Sequence, residues 1–175
     1  IIGDILDIDT VRPAIKGCDY VYNFAGFADL DDATTKPVDT VRLNILGNIN
    51  IIEAALSERI KRYVYASTIY VYSQKGGFYR CSKQASEIYI EEYQRRYGLD
   101  FTILRYGTVY GPRTDSRNSI YRYLKQALET RRIECNGSGE EMREYINVKD
   151  AALLSVKILD DEYKNKHVII TGHHP

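Results

Sequence analysis

Short apolar runs alternate along the chain with longer stretches whose apolar residues recur every three or four positions. That alternation is the mark of β-α-β units, a parallel sheet flanked by helices. Ile1-Ile2 reads as the end of a strand. Tyr20 to Phe24 reads as a buried strand, closed by Ala25-Gly26. From Val38 to Leu56 the apolar residues Val41, Ile45, Ile49, Ile52 and Leu56 predict one helix. Arg62 to Ala66 is the next strand. Ser82 to Tyr97 is a helix stopped by Gly98, a residue suited to the position just past a helix end. Phe101 to Leu104 is a strand, Ser119 to Thr130 and Val148 to Leu159 are helices, and His167 to Thr171 is a last strand.

Composition narrows the class. A length of 175 residues is enough for one domain with a real core. Hydrophobic residues make up 44% and charged residues 27%, ordinary for a soluble globular protein. The 24 basic and 24 acidic residues cancel, which argues against broad attraction to nucleic acid or an anionic membrane. No apolar run approaches the ~20 residues that span a bilayer. The opening Ile-Ile-Gly-Asp lacks the basic leader and apolar stretch of a signal peptide. It also lacks an initiator Met, so residue 1 is read as lying inside a longer polypeptide. Cys18, Cys81 and Cys135 form no C-x-x-C pair; no metal site is expected, and the thiols are read as reduced in a cytoplasmic protein.

The chemistry begins with a Tyr and a Lys one helical turn apart. Side chains at i and i+4 share a helix face, and an ammonium beside a phenol favours the phenolate. Such a Tyr can act as a general base. This Tyr-rich chain holds the spacing three times, at Tyr79/Lys83, Tyr121/Lys125 and Tyr145/Lys149. Context favours the first. Tyr79 follows a strand ending in Ala66-Ser67-Thr68, and the carboxyl ends of strands are where open α/β sheets bind ligands. The bland alternative for each pair is an exposed ion beside a half-buried ring.

The surroundings of that pair carry a resemblance. In chain order stand Gly3-Asp4-Ile5-Leu6-Asp7, Tyr22-Asn23-Phe24-Ala25-Gly26, Asn44-Ile45-Leu46-Gly47, and Val64-Tyr65-Ala66-Ser67-Thr68 with Val71-Tyr72. Then come Tyr79-Arg80-Cys81-Ser82-Lys83, Arg105-Tyr106-Gly107-Thr108-Val109-Tyr110-Gly111-Pro112, and Gly137-Ser138-Gly139 leading to Arg143-Glu144-Tyr145-Ile146-Asn147-Val148-Lys149-Asp150. Together they resemble the extended short-chain dehydrogenases, and among them the nucleotide-sugar enzymes like UDP-galactose 4-epimerase.

The resemblance implies a Rossmann-like, doubly wound parallel α/β sheet. The chain would begin at its third strand and lack the first two, together with the Gly-x-x-Gly-x-x-Gly turn that holds a pyrophosphate. Cut in this way, it would not fold as a stable monomer. Residues 1–112 would be a partial NAD(P)-binding domain, and 113–175 part of a small substrate-binding lobe with the last strand. Thr68, Tyr79 and Lys83 would be catalytic. Asp4, Ile5, Phe24, Ala25, Gly26, Asn44, Ser67, Tyr106 and the Tyr79/Lys83 pair would hold NAD, with NADP an alternative. Thr68, Thr108 and Arg143 would bind a nucleotide sugar. The bland alternatives are a turn carboxylate for Asp4, a solvated helix residue for Asn44 and one half of a surface ion pair for Arg143. His167, His173 and His174 lie outside the catalytic motifs and are read as non-catalytic.

The positions after Thr68 choose among activities. Dehydratases and decarboxylases of this kind carry proton-transferring side chains there, whereas this chain has Ile69 and Tyr70. That favours a 4-epimerase. The alternatives are a 4-ketoreductase, an alcohol dehydrogenase on the same frame, and a non-catalytic module. A homodimer through the helices of Val38–Leu56 and Ser82–Tyr97 is implied. Only ten residues separate Thr68 from Tyr79, fewer than is usual, and Thr108 stands where many members have Asn.

Overall fold

The computed structural model describes residues 1–135, 137 and 142–172, with only the main chain of Asp31. It is an α/β structure, as the alternating pattern predicts. In chain order it runs α1 (Ile8–Ile15), β1 (Tyr20–Asn23), α2 (Leu30–Thr35), α3 (Pro37–Val41), a π-helical turn (Arg42–Leu46), α4 (Gly47–Ser57) and β2 (Arg62–Thr68). A 3₁₀ turn (Ile69–Tyr72) leads to α5 (Gly77–Tyr97), β3 (Phe101–Tyr106), β4 (Thr108–Tyr110) and α6 (Ser119–Thr130). The chain closes with β5 (Tyr145–Asn147), α7 (Val148–Lys157), a 3₁₀ turn (Asp161–Tyr163) and β6 (Lys166–Ile170).

Two compact units emerge. The first comprises Ile1–Arg105 and Ile158–Ile169, the second Tyr106–Lys157 and the residues from Ile170. The division thus falls after Arg105, not after Pro112, because β4 pairs with β5 and so draws residues 106–112 into the second unit.

The main sheet has the order β1-β2-β3-β6. β1 and β2 run parallel, with Tyr20 opposite Arg62 and Asn23 opposite Tyr65. β2 is buried along nearly its whole length, as is the first part of β3. Strands covered on both faces read as unbroken apolar runs, which is why Tyr63-Val64-Tyr65 and Ile103-Leu104 were legible. The core of this unit joins Val21, Ile52, Ala55, Tyr63, Tyr65, Ile90, Phe101 and Ile103. Helix α1 packs on α4 and adds Val11 and Ile15.

Several elements depart from the sequence reading. Among the described residues Ile1 and Ile2 form no strand; they are 92% and 101% exposed. The helix expected over Val38–Leu56 is broken by the π turn. One wide turn shifts the phase of the stripe, so Val41 and Leu46 face out while Thr40, Asn44 and Asn48 turn inward. Helix α5 starts at Gly77, five residues before the predicted start, and so includes Tyr79. Its end is as expected: Gly98, with φ +70°, donates its N–H to the Gln94 carbonyl at 2.9 Å. Helix α1 went unpredicted because Pro13 sits inside it.

In the second unit β4 and β5 run parallel, Thr108 opposite Tyr145 and Tyr110 opposite Asn147, with α7 packed against both. Helix α6 is capped by Asn118, whose Oδ1 accepts from the N–H groups of Ile120 (3.1 Å) and Tyr121 (3.3 Å). No helix among the described residues is long and apolar enough to cross a membrane.

Candidate active site

Strand β2 delivers Ser67 and Thr68, both buried, to the carboxyl end of the main sheet. The Thr68 hydroxyl accepts from the Tyr70 N–H at 3.2 Å and so caps the 3₁₀ turn that follows. Helix α5 then brings back Tyr79 in its first turn, with its hydroxyl close enough to Thr68 for that side chain to favour the ionised phenol. One turn further, Lys83 reaches under the strand end. Its Nζ donates to the Ala66 carbonyl at 2.7 Å and lies 4.6 Å from the Tyr65 ring centroid and 5.8 Å from that of Tyr79.

The ionisation states differ from the expectation that Lys83 depresses the Tyr79 pKa. Burial pushes the Tyr79 phenol up to about 12, opposed by the Thr68 hydrogen bond and reinforced by Tyr70. Burial likewise pulls the Lys83 ammonium down to about 8, opposed by Glu87. The physical reason is geometric: Lys83 spends its short hydrogen bond on a main-chain carbonyl. Activation of Tyr79 therefore calls for an additional cation at the phenol.

The turn after β1 borders the same helix. Phe24 is 60% exposed, Ala25 donates its N–H to Asn23 Oδ1 at 3.0 Å, and Gly26 adopts φ +151°. A Cβ on Gly26 would stand 2.6 Å from Asn44 Oδ1, so both backbone and space demand glycine here. Asn44 explains the crowding. Buried at 2% exposure, it accepts from the Phe27 N–H at 2.6 Å and donates to the Phe27 carbonyl (2.9 Å) and to Ser82 Oγ (2.8 Å). Ser82 Oγ donates to the Tyr79 carbonyl at 2.7 Å, and Ser86 Oγ to the Asn44 carbonyl at 2.7 Å. Asn44 is thus neither solvated nor open to a phosphate; it clips the β1 turn to the helix of Tyr79 and Lys83.

Below this clip lies a second polar cluster. Asn23 Nδ2 donates to Asn48 Oδ1 (3.0 Å) and to the Tyr63 hydroxyl (2.9 Å), which itself donates to Asn48 Oδ1 at 2.7 Å. Ser67 is also turned into the protein, where it donates to Glu87 Oε1. Glu87 pairs with Arg105.

Other predicted residues sit as follows. Asp4 Oδ1 accepts from the Leu6 N–H at 2.9 Å, so this carboxylate orders its own turn. The Ile5 side chain packs against Gly47 and the core, while its carbonyl accepts from Asn50 Nδ2 at 2.9 Å. Tyr106, Thr108 and Arg143 belong to the second unit. There the Tyr106 hydroxyl meets Ser155 Oγ at 2.6 Å, Thr108 donates its N–H to the Glu144 carbonyl at 2.8 Å, and Arg143 is exposed. Ser138, Gly139, His173 and His174 lie outside the described residues. The rival pairs separate: Tyr121 and Lys125 lie on the exposed side of α6, and Tyr145 is on β5 while Lys149 is on α7. Glu87, Ser86 and Asn48 were missed by sequence reasoning, and Ser82 and Arg105 stood in the quoted motifs with no role assigned. Their signals were the i, i+4 spacings Lys83/Glu87, Ser82/Ser86 and Asn44/Asn48.

The arrangement fits one end of a dinucleotide. Among the described residues Lys83 has one hydrogen bond, which leaves ammonium hydrogens for a ribose diol.

Comparison with known proteins agrees. The NAD dependent epimerase/dehydratase family matches residues 1–171. A UDP-glucuronate 4-epimerase of Thermodesulfobacterium geofontis is 30% identical over 161 residues, covering 83% of this chain and 50% of that protein. A dTDP-glucose 4,6-dehydratase of Streptomyces antibioticus is 29% identical over 164 residues, covering 86% of this chain and 49% of its own. The chain thus spans about half the length of the curated relatives it matches. Among solved structures, UDP-glucuronic acid 4-epimerase from Bacillus cereus, in complex with UDP-glucuronic acid and NAD, superposes with a TM-score of 0.88 at 25% identity, covering 98% of this chain and 59% of that one. A match across nearly its whole length, on a chain that sets Thr68 at the end of β2 and Tyr79 and Lys83 on the helix that follows, places it in the NAD-dependent epimerase/dehydratase family.

Proposed function

We propose that this chain carries the catalytic core of an NAD-dependent nucleotide-sugar 4-epimerase. The single observation behind the choice of epimerase is the short turn after Thr68. Removing water from a 4-keto sugar needs an acid for the leaving hydroxyl and a base for the neighbouring carbon. Here Ile69 and Tyr70 occupy those positions, wound into a 3₁₀ turn against Thr68. Inversion at C4 needs only one proton carrier, and Tyr79 supplies it.

NAD, when bound, supplies the acceptor and donor of the C4 hydride. Tyr79 takes the C4 hydroxyl proton and later returns it. Thr68 hydrogen-bonds the same oxygen and holds it in line. Lys83 binds the ribose and adds positive charge beneath the phenol. The oxidised nicotinamide ring is itself a cation, the kind of group that brings the phenol of Tyr79 down from about 12. Phe24, Ala25 and Gly26 border the cofactor, and Thr108 and Arg143 are assigned to the sugar nucleotide. The three free, exposed cysteines suit a reducing compartment such as the cytoplasm.

A homodimer belongs to the same reading. Val38, Val41 and Leu46 on one side and Phe78, Ile88 and Tyr89 on the other leave apolar surface exposed around α3 and α5. An apolar groove runs between them, lined by Val38, Val41, Ile45 and Phe78. Light scattering is expected to give twice the chain mass, and Ile88→Glu to shift it to one.

The test of function is product identity. Incubated with NAD and either UDP-glucose or UDP-glucuronate, the protein is expected to give a product of unchanged mass with C4 inverted. A product lighter by one water would make it a dehydratase. Substrate recovered unchanged would favour the non-catalytic module.

A further inference from the structure

Among the described residues the proposed proton path leaves one buried carboxylate unused. Tyr79, Lys83 and Glu87 follow at intervals of four residues along one face of α5. Glu87 is only 4% exposed. A carboxylate at such depth stays ionised only when it is paired and hydrogen-bonded. Glu87 meets both conditions from two strands. Ser67 Oγ of β2 donates to Oε1, and Arg105 of β3 donates from Nη2 to Oε2 at 2.6 Å and from Nε to Oε1 at 3.2 Å. The guanidinium is braced in turn by the Tyr72 hydroxyl and by His167 Nδ1 at 2.8 Å, and His167 Nε2 meets Glu91 at 3.0 Å.

We propose that Glu87 is a positioning residue for Lys83, a carboxylate fixed by Ser67 and Arg105 that keeps the buried ammonium charged and aimed at the strand end. The proposal rests on reading Lys83 as the partner of Tyr79. Lys83 has little else to hold its charge. From β2 it meets the Ala66 carbonyl and the Tyr65 ring; on its own helix, Tyr79 and Glu87. Of these only Glu87 is an anion. Burial already pulls the ammonium down to about 8, and Glu87 is the group that opposes this. The Arg105 pair makes the arrangement stiff: a bidentate guanidinium holds a carboxylate in one orientation.

The test follows the Lys83 side-chain carbon resonance against pH in the purified protein, made with ¹³C-lysine and assigned by its loss in Lys83→Arg. In Glu87→Gln the Lys83 midpoint is expected to fall by about one unit or more. Glu87→Asp, which keeps the charge, is expected to recover most of that shift. Should Glu87→Gln fail to fold, Glu87→Gln combined with Arg105→Met removes both members of the buried pair, a change that proteins often tolerate; because the lost guanidinium had itself repelled the ammonium, the fall is then read against Arg105→Met alone, where it is expected to be about one unit or more. An unmoved midpoint, with both single variants merely less stable, would overturn the proposal and leave Glu87 a structural residue. The resonance reads Lys83 whether or not any nucleotide sugar is turned over. A shifted midpoint in an inactive protein would therefore count against the proposed function alone, and normal turnover with an unmoved midpoint against this inference alone.

Discussion

Tyr79→Phe is expected to lower turnover of a nucleotide-hexose by a factor of about 10²–10⁴ and to leave the fold intact. The substitution removes one hydroxyl and keeps the ring in the first turn of α5. Thr68 retains its bond from the Tyr70 N–H, so the 3₁₀ turn stays capped. Burial of Tyr79 opposes its ionised form, so the part of the hydroxyl lies in the proton step and not in holding the fold. The loss should therefore appear in kcat, with KM for the nucleotide sugar nearly unchanged, because the hydroxyl acts on the moving proton. Steady-state kinetics beside a thermal unfolding curve check both halves. Full activity in the variant would show that the C4 proton leaves by another route.

Asn44→Ala carries the second large effect. It deletes the side chain that joins the Phe27 N–H and carbonyl to Ser82, and leaves the half-buried Phe27 groups without that partner. A destabilisation of about 2–4 kcal/mol is expected, a fall of roughly 4–16 °C in Tm for a chain of this length. Affinity for NAD should weaken as well, since the Phe24-Ala25-Gly26 turn loses its tie to α5. The two roles first open for Asn44 predict otherwise. A solvated helix residue would leave both quantities alone, and a direct phosphate ligand would weaken NAD binding with Tm unchanged. Calorimetric unfolding of the cofactor-free protein separates them.

The sequence made the frame legible where burial is two-sided and local. Tyr63-Val64-Tyr65 and Ile103-Leu104 are apolar because both faces of their strands are covered, and Gly98 ends α5 because only glycine takes its backbone conformation without strain. The Tyr79/Lys83 pair was legible from its place after Ala66-Ser67-Thr68. What sequence reading missed was polar and nonlocal. Asn44 was read as a cofactor residue or a solvated one, and Ser82 and Ser86 were given no role; the ties among them form only when positions 38 and 42 residues apart meet. The π turn that sends Asn44 inward has no composition of its own. Glu87 and Arg105 are charged, and charge at those positions reads as surface until each is seen to neutralise the other. The reading of Tyr79 as a depressed phenol failed for a related reason: spacing gives proximity to Lys83 but not the direction of its ammonium.

The most direct measurement of the account uses UDP-glucose carrying deuterium at C4, incubated with the protein and NAD and read by proton NMR. Inversion by one proton carrier, with the hydride leaving and returning at the same carbon, predicts a C4-inverted product of unchanged mass that keeps its deuterium at C4. Deuterium found at C6 of a product that has lost water would contradict the account, because that transfer demands the acid and base that Ile69 and Tyr70 do not provide.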